Sequence, residues 1–485
     1  MKKKSNSQPH AGRSQKEYPF IPRIINPVKM EQVIIFSADE AVRQSHRTVQ
    51  AQMPWTDVTV LVNPLAVSAL SSDRASVLIL DDVAINLIDA DKIRRNNSNL
   101  VIVLVSYHKL IHCAPPTVAA KEFPNTVLAD LVFAVDRYEL TPDHIITSIV
   151  RAAEDYLNIE KHSDSRRFIV LIVDDEPSWP SQFLPTLYTI IGQRACVKIT
   201  RTYEEAIRFL FGAEDENAIS KNYHACGFGD KVICLITDIF FPRGEELNCD
   251  AGKDLIRLVN KYYARIPIII ASKAKEAAEL APAEFVLPKG DPGSLEMLRN
   301  YIHDFTGMGD FVIHDEHGKV LHRLKNLHDI YNLLLQAESE NPDAERLRLI
   351  MKTYGEKDKF STWFYMHSLR ELGDELRPQK HRGKKMITVL RTALKHEMQR
   401  MHHTPLIVGD IKVFTLRQLL DMLQVIPPEI LAPYSDNDII SSWLDRKGHT
   451  ELAEELRPIH GTGSSLVQEL TAAIKKWIRI YEKTK

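Results

Sequence analysis

One pattern occurs twice in the first 305 residues: strand-length apolar segments alternate with polar, helix-length segments. The first round has its apolar segments at 33–36, 58–62, 77–80, 100–105 and 131–135. The second round has them at 168–173, 196–199, 232–237, 266–271 and 285–287. Runs of Val, Ile and Leu without polar alternation are typical of parallel strands covered on both faces. The pattern therefore predicts an α/β chain with two tandem, doubly wound, five-stranded parallel sheets, in domains at 29–160 and 164–306.

Composition excludes several classes of protein. The chain has 485 residues, with 62 Lys and Arg against 64 Asp and Glu, and this balance gives no general attraction to nucleic acid. Its longest apolar runs fall well short of the roughly 20 residues of a membrane span. Five scattered cysteines indicate reduced thiols, and hence the cytoplasm, rather than a disulfide scaffold. Residues 1–28 begin with a basic run and lack an apolar signal segment, so we expect a disordered basic arm there.

The remainder of the chain has helical spacing and contains an internal repeat. Phe-Ser-Thr-Trp at 360–363 recurs as Ile-Ser-Ser-Trp at 440–443, and the Leu-Arg-Pro that ends at 378 recurs ending at 458, both offset by 80 residues. Upstream, an alignment of Leu324 with Leu416, offset by 92, implies 12 extra residues in the first copy. We expect Trp363 and Trp443 to be core residues.

This repeat predicts a mainly helical duplicated module. Its first copy spans 308–380 and its second spans 404–485. Between them, 381–403 is rich in Lys and Arg and is predicted to be a basic helical connector.

Acidic and basic residues in the second α/β domain follow the predicted strands. Asp174 and Asp175 come after the first strand, Asp238 after the third, Ser272 after the fourth and Lys289 after the fifth. Carboxyl ends of parallel strands meet at one edge of a sheet, which is where such sheets bind ligands. Carboxylates brought together there repel one another. A hard divalent cation such as Mg²⁺, which prefers oxygen ligands, relieves this repulsion.

This set of residues resembles the response-regulator receiver domain over 168–305. The resemblance implies that Asp238 is the phosphoacceptor and that Asp174, Asp175, Asp238 and the Phe240 carbonyl hold Mg²⁺. It also implies that Ser272 and Lys289 bind the phosphoryl group. The sequence departs from the family pattern in its long spacing between Asp175 and Asp238, with an insertion near 213–230, and in having proline before rather than after the lysine. Which aromatic residue, if any, acts as the receiver switch stays open, because Val286 lies three residues before Lys289 and Phe285 lies four before.

The first α/β domain matches the same pattern only in part. Asp81 follows its third strand and Ser106 ends its fourth, but the first strand offers only Asp39 in place of an acid pair. No lysine follows the fifth strand, where Asp136 and Arg137 stand. We therefore expect a pseudo-receiver that binds neither Mg²⁺ nor phosphate appreciably.

A second resemblance covers roughly 168–400. Segments 183–188, 202–206, 238–244 and 307–311 are similar to the amino-terminal regulatory half of bacterial phosphoenolpyruvate-synthase-like proteins. In those proteins a nucleotide-binding kinase half follows the regulatory half. This sequence contains no Gly-rich phosphate loop and no phosphohistidine-domain motif, so we expect no separate enzymatic output domain.

These features predict a phosphorelay response regulator that signals through a protein-interaction module. Its expected partners are a sensor histidine kinase or phosphotransfer protein and an unidentified downstream protein, with a homodimer left open and no membrane. Two alternatives stay open: a non-catalytic scaffold with vestigial receivers, and a nucleic-acid-binding regulator that uses the basic connector.

Overall fold

The computed structural model of the protein describes residue 20 and residues 26–107, 128–161, 168–244, 246–273, 285–315, 319–339, 342–377, 383–401 and 403–483. Within them lie two five-stranded parallel sheets and, after residue 310, two two-stranded antiparallel hairpins, each followed by helices. None of the described helices is long and apolar enough to cross a membrane.

The first sheet has the strand order β2-β1-β3-β4-β5, which is the order of flavodoxin-like folds. Its strands are β1 (Gln32–Phe36), β2 (Asp57–Leu61), β3 (Ser76–Asp81), β4 (Leu100–Ser106) and β5 (Leu131–Ala134). The described helices around it are α1 (Glu40–Gln44), α2 (His46–Gln52), α3 (Pro64–Ser68), α4 (Ala90–Asn96) and α5 (Pro142–Lys161). All residues of β3 and β4 are buried, as strands covered on both faces must be.

The second sheet has the equivalent order, β12-β11-β8-β6-β7. Its strands are β6 (Ile169–Val173), β7 (Cys196–Thr200), β8 (Val232–Thr237), β11 (Ile268–Ser272) and β12 (Phe285–Pro288), and a hairpin of β9 (Phe241–Arg243) and β10 (Glu246–Asn248) follows β8. The helices are α6 (Ser178–Ile191), α7 (Tyr203–Phe211), α8 (Tyr223–Cys226), α9 (Ala251–Tyr262) and α10 (Ser294–Phe305). The predicted α/β class with two parallel five-stranded sheets is confirmed.

Glycine is required where α9 meets the end of β8. A Cβ on Gly252 would lie 2.5 Å from the carbonyl oxygen of Asp238 and 2.5 Å from Ile239 Cα. The Gly252 amide donates to the Ile239 carbonyl at 3.0 Å. This close approach fixes the chain that carries Asp238 against the start of α9.

The two sheets share one hydrophobic core. Helix α5 packs on β4 of the first sheet and also on β7 and α6 of the second, and one buried cluster extends from Met30 through Ile146 to Phe183 and Ile302. Within it, the buried Asp155 carboxylate of α5 accepts hydrogen bonds from Val197 N (2.8 Å) and the Tyr188 hydroxyl (2.8 Å). A domain boundary between 160 and 164 therefore crosses a continuous core.

Part of the predicted disordered arm is ordered. The Asn26 amide donates to Asp155 (2.7 Å) and Glu154 (3.0 Å) and is buried. Phe20 packs in the core of the last helical unit, and its backbone amide donates to Pro405 O at 3.1 Å. The expectation of disorder is wrong for these residues. The sequence does not reveal their contacts, because their partners lie more than a hundred positions away along the chain. Residues 1–19 and 21–25 of the arm lie outside the described residues.

Two helical units with the same element order follow the sheets. The first has β13 (Phe311–His314), β14 (Val320–Leu324), α11 (Leu327–Glu338), α12 (Pro342–Glu356), α13 (Lys359–Met366), α14 (Arg370–Leu376) and α15 (Gly383–Met401). The second has β15 (Leu406–Val408), β16 (Ile411–Val413), α16 (Leu416–Val425), α17 (Pro428–Asp436), α18 (Ile439–Arg446), α19 (Thr450–Leu456) and α20 (Gly463–Lys483). Trp363 and Trp443 are buried, and each indole N–H donates to a backbone carbonyl, of Gly309 and Thr404 respectively.

The structure corrects the upstream alignment of the repeat. Asn326 caps α11 and Thr415 caps α16, an offset of 89 residues rather than 92. The buried residues agree with this register, since Ile330 and Leu334 match Leu419 and Leu423. The first unit therefore has nine extra residues, not 12, because the downstream offset is 80.

Segment 381–403, predicted to be a basic connector, forms a core helix instead. Residues 378–382 and 402 lie outside the described residues, but α15 packs on α11, α12 and α14. Five of its side chains belong to the core of the first unit: Met386, Ile387, Leu390, Ala393 and Leu394. These apolar positions recur every three or four residues and place the cations on the opposite face. The segment is the last core helix of the first unit, as α20 is of the second.

Candidate functional site

Four strands of the second sheet end at the same edge and position the predicted site. Val173 of β6 is in register with Thr237 of β8, so Asp174 and Asp238 leave the sheet side by side. Ser272 of β11 is in register with Pro288 of β12, and the Lys289 amide donates to the Ser272 carbonyl at 2.9 Å. Strand pairing alone therefore gathers residues that are far apart in the sequence.

The Lys289 ammonium lies between two carboxylates. Its Nζ is 2.6 Å from Asp174 Oδ2 and also donates to Asp238 Oδ2. The Lys289 and Asp174 side chains are 1% and 2% exposed, whereas Asp238 is 16% exposed. Asp238 is thus the carboxylate of this group that solvent, or a reacting molecule, can reach.

Burial and charge act together on these groups. Burial, with the nearby Asp238 and Asp175 carboxylates, raises the pKa of Asp174 even though Lys289 opposes the shift. Burial alone would lower the pKa of Lys289, but Asp174 and Asp238 outweigh it and raise that pKa. The edge therefore holds more negative charge than one ammonium neutralises, and it favours an additional cation.

The other predicted residues lie at the same edge. Asp175 and Ser272 are buried, and Phe240, two residues after Asp238, is 38% exposed. Among the described residues, no three carboxylate, imidazole or thiol groups are arranged to hold a metal ion. At this edge of the sheet, the Lys289 ammonium lies between the carboxylates of Asp174 and Asp238. The donor set still fits Mg²⁺ in its chemistry, since it consists of carboxylate oxygens with excess negative charge.

Three neighbours of the site were missed from the sequence. Trp179 forms a wall, with Lys289 Nζ 5.3 Å and Lys273 Nζ 5.1 Å from its ring centroid. Glu176 Oε2 accepts hydrogen bonds from the Trp179 indole N–H (2.9 Å) and from Lys273 Nζ (3.0 Å). This contact links the loop after β6 to the end of β11. The signal available in the sequence was only the proximity of these residues to Asp175 and Ser272.

Strand register identifies the matching positions in the first sheet. Phe36 pairs with Leu80, and Ser106 with Ala134. Ser37 therefore takes the place of Asp174, Asp81 that of Asp238, and Val135 that of Lys289. The acid that the sequence offered, Asp39, lies two residues beyond Ser37 and matches Glu176 instead.

The Asp81 carboxylate is already satisfied by the protein. Its Oδ2 accepts from Ser37 Oγ (2.6 Å) and Asp39 N (2.8 Å), and its Oδ1 from Val83 N (3.0 Å) and Ala84 N (2.6 Å). Burial raises its pKa, but these hydrogen bonds outweigh burial and lower it. Four donors on one carboxylate leave little capacity for a metal ion or a phosphoryl group.

Comparison with known proteins adds no further argument. No protein-family model and no curated protein matches the sequence. The Escherichia coli RcsC C-terminus, which contains a linker region and a phosphoreceiver domain, aligns at 12% identity and a TM-score of 0.22, covering 58% of this chain and 94% of that one. A putative phosphosugar isomerase from Bacillus subtilis aligns at 8% identity and a TM-score of 0.19, covering 50% and 78%. Similarities this weak do not identify a family.

Proposed function

We propose that the protein is a phosphorelay response regulator that accepts a phosphoryl group on Asp238. The observation that carries the proposal is the buried Lys289 ammonium held between Asp174 and the more exposed Asp238 at the carboxyl edge of a flavodoxin-like sheet. A partly exposed carboxylate beside a fixed ammonium suits attack on phosphorus and stabilisation of the charge that develops there.

In the proposed reaction, an Asp238 carboxylate oxygen attacks the phosphorus of a phosphohistidine on a sensor kinase or phosphotransfer protein. A P–O bond forms, the P–N bond breaks, and the departing imidazole takes up a proton. Lys289 leaves its pairing with Asp238 and holds a phosphoryl oxygen, and the Ser272 hydroxyl donates to another. Mg²⁺, held by Asp174, Asp175, Asp238 and the Phe240 carbonyl, would supply the remaining positive charge.

We propose that the first α/β domain is a pseudo-receiver. Its matching positions hold Ser37 and Val135 in place of Asp174 and Lys289, and Asp81 is occupied by four internal donors. The domain then contributes the shared core and a surface, not phosphoryl chemistry.

We propose that the two helical units arose by duplication and serve as the output. A stack of aromatic rings leads toward them from the second sheet: Phe285 packs on Tyr301 (4.8 Å between centroids), Tyr301 on Phe305 (4.4 Å), and Phe305 on His314 of β13 (4.7 Å). Phe285 lies four residues before Lys289, so the stack joins the phosphorylation edge to the first unit. Phe285 is accordingly our choice for the switch aromatic.

The phosphoacceptor is tested by incubating the full chain with acetyl phosphate, with and without Mg²⁺, and measuring the intact mass. The proposal predicts one Mg²⁺-dependent phosphoryl group, absent from Asp238→Asn and retained by the matched control Asp81→Asn. Labelling that persists in Asp238→Asn would refute it, and no labelling of the unmodified chain would favour the scaffold alternative.

The output is tested by hydrogen exchange with and without beryllofluoride. We expect changed protection between residues 307 and 334, where the ring stack enters the first helical unit. Identical exchange there, in a chain whose Asp238 site is saturated, would contradict this output.

A further inference from the structure

A cavity of about 210 Å³ lies between the two helical units, away from the phosphorylation edge. The first unit contributes the start of α11, Trp363 and His367, and the second contributes residues 445–448 and Thr450. Met398, Met401 and Leu369 add an apolar wall. The cavity is large enough for a small metabolite and has both apolar and charged walls.

The charged groups of this cavity are mainly cationic. Lys447 is half-buried, and its Nζ donates to the Met401 carbonyl at 2.6 Å; within the described residues it has no acidic partner. Burial and the adjacent Arg446 guanidinium lower the pKa of Lys447 to about 8. Lys447 therefore lacks a counter-ion among the described residues.

Arg446 also has an unused donor. Its side chain is 3% exposed, with Nη1 on Glu371 (2.9 Å) and Nη2 on Glu397 (2.7 Å). Its Nε, although buried, has no hydrogen-bond partner in the described part of the chain. Buried donors are rarely left unpaired, because the lost hydration is not recovered.

The single carboxylate among the residues that line the cavity, Asp445, is fully buried and ion-paired. Its Oδ1 lies 2.8 Å from His367 Nδ1, while its Oδ2 lies 3.9 Å from the Arg457 guanidinium and accepts no hydrogen bond from the described residues. The start of the 12-residue helix α11 also borders the cavity, and Asn326 caps it by accepting from the Asp329 amide. The first amides of the helix, those of Leu327 and His328, have no acceptor within the helix and favour negative charge.

We propose that this cavity binds a small metabolite through an oxyanion group, phosphate or carboxylate, held by Lys447, Arg446 Nε and the first amides of α11. Trp363 and the methionines contact the carbon part of the ligand. The site joins the two helical units, and it depends neither on Asp238 nor on the phosphoryl chemistry proposed above.

The test is calorimetric titration of the full chain, in Mg²⁺-free chloride buffer, with inorganic phosphate in one arm and malonate in the other. We expect one saturable site in at least one arm, and the arm that binds identifies the oxyanion. Lys447→Gln should weaken binding about tenfold. The matched control Lys475→Gln, at an exposed position of α20, and Asp238→Asn should leave it unchanged. No saturable binding of either anion, or equal binding by Lys447→Gln, would overturn the proposal.

A second measurement does not require a variant. Acylation of Lys447 in the unmodified chain, followed by peptide mass spectrometry, should slow when the binding anion is present, while acylation of Lys475 continues at its original rate. Equal slowing at both lysines, or none at Lys447, would contradict the site even if Lys447→Gln failed to fold.

Discussion

At the level of single side chains, Lys289 determines the state of the candidate site. It is almost fully buried and pairs with two acids, so it acts as an internal counter-ion in the form of the protein described here. Buried ion pairs are only weakly stabilising in themselves, but removal of one partner is costly because it leaves an uncompensated charge.

Lys289→Met tests this arrangement. Without Mg²⁺, the loss of the ammonium should lower the free energy of unfolding by about 3–5 kcal/mol, since Asp174 and Asp238 are left facing each other. Mg²⁺ should recover part of that loss by taking the place of the ammonium. Urea unfolding with and without Mg²⁺ measures both effects. A variant as stable as the unmodified chain, or one indifferent to Mg²⁺, would contradict the role of Lys289 as an internal counter-ion.

Asp81→Asn should affect stability rather than phosphorylation. Because the hydrogen bonds lower the pKa of Asp81 from its ordinary value of 3.8, the carboxylate stabilises the fold above that pH. This contribution is lost as the pH falls through the still lower pKa of the folded state. At neutral pH we expect a loss of about 1–3 kcal/mol, shrinking in acid. A pH-independent difference between the two proteins would argue against this role.

The sequence predicted some site residues better than others. Asp174, Asp238 and Lys289 were predictable because each directly follows an apolar segment, and parallel strands end at one edge. In the first domain the same reasoning chose Asp39, but pairing of Phe36 with Leu80 places Ser37 beside Asp81. Register depends on pairing between distant strands, and a difference of two residues at a strand end is not visible in the sequence.

At the level of secondary structure, α15 shows how charge can conceal a core helix. Its many cations suggested a connector, yet its apolar side chains pack in the first helical unit. The helical spacing of Met386, Leu390 and Ala393 indicates a helix with one buried face, and the cations occupy the opposite, solvent-facing side.

A matched pair of substitutions in α15 tests this assignment. Leu390→Ala removes a side chain that is 2% exposed and should cost about 2–5 kcal/mol of unfolding free energy, since it leaves a cavity. Lys395→Ala, on the exposed face, should change stability by less than about 0.5 kcal/mol. Thermal unfolding of both variants provides the comparison. Small effects from both would indicate that the segment is only a linker.

At the scale of the whole molecule, the described parts of the α/β domains and helical units contact one another directly. The two sheets share a core through α5 and α6. Just after α6, Arg194 lies 3.3 Å from Glu454, and the Gln193 amide donates to Asp438 at 2.6 Å. Asp438 and Glu454 both neighbour Arg457, so the second helical unit is tied directly to the second sheet. The sequence could not predict these contacts, because they join residues more than 200 positions apart.

A shared core predicts that the two α/β domains unfold together. Chemical denaturation followed by hydrogen exchange should expose β3 and β8 in one transition, because α5 cannot leave one sheet without uncovering the other. Separate transitions for the two sheets would show that the core between them contributes little to stability.

Phosphorylation of Asp238 is tested most directly by trapping the acyl phosphate. Borohydride reduces an aspartyl phosphate to homoserine, and peptide mass spectrometry then reports which position was modified. After treatment with acetyl phosphate and Mg²⁺, we expect homoserine at position 238 and none at position 81. Homoserine at position 81, or at no aspartate while another residue carries the phosphoryl group, would contradict the proposed function.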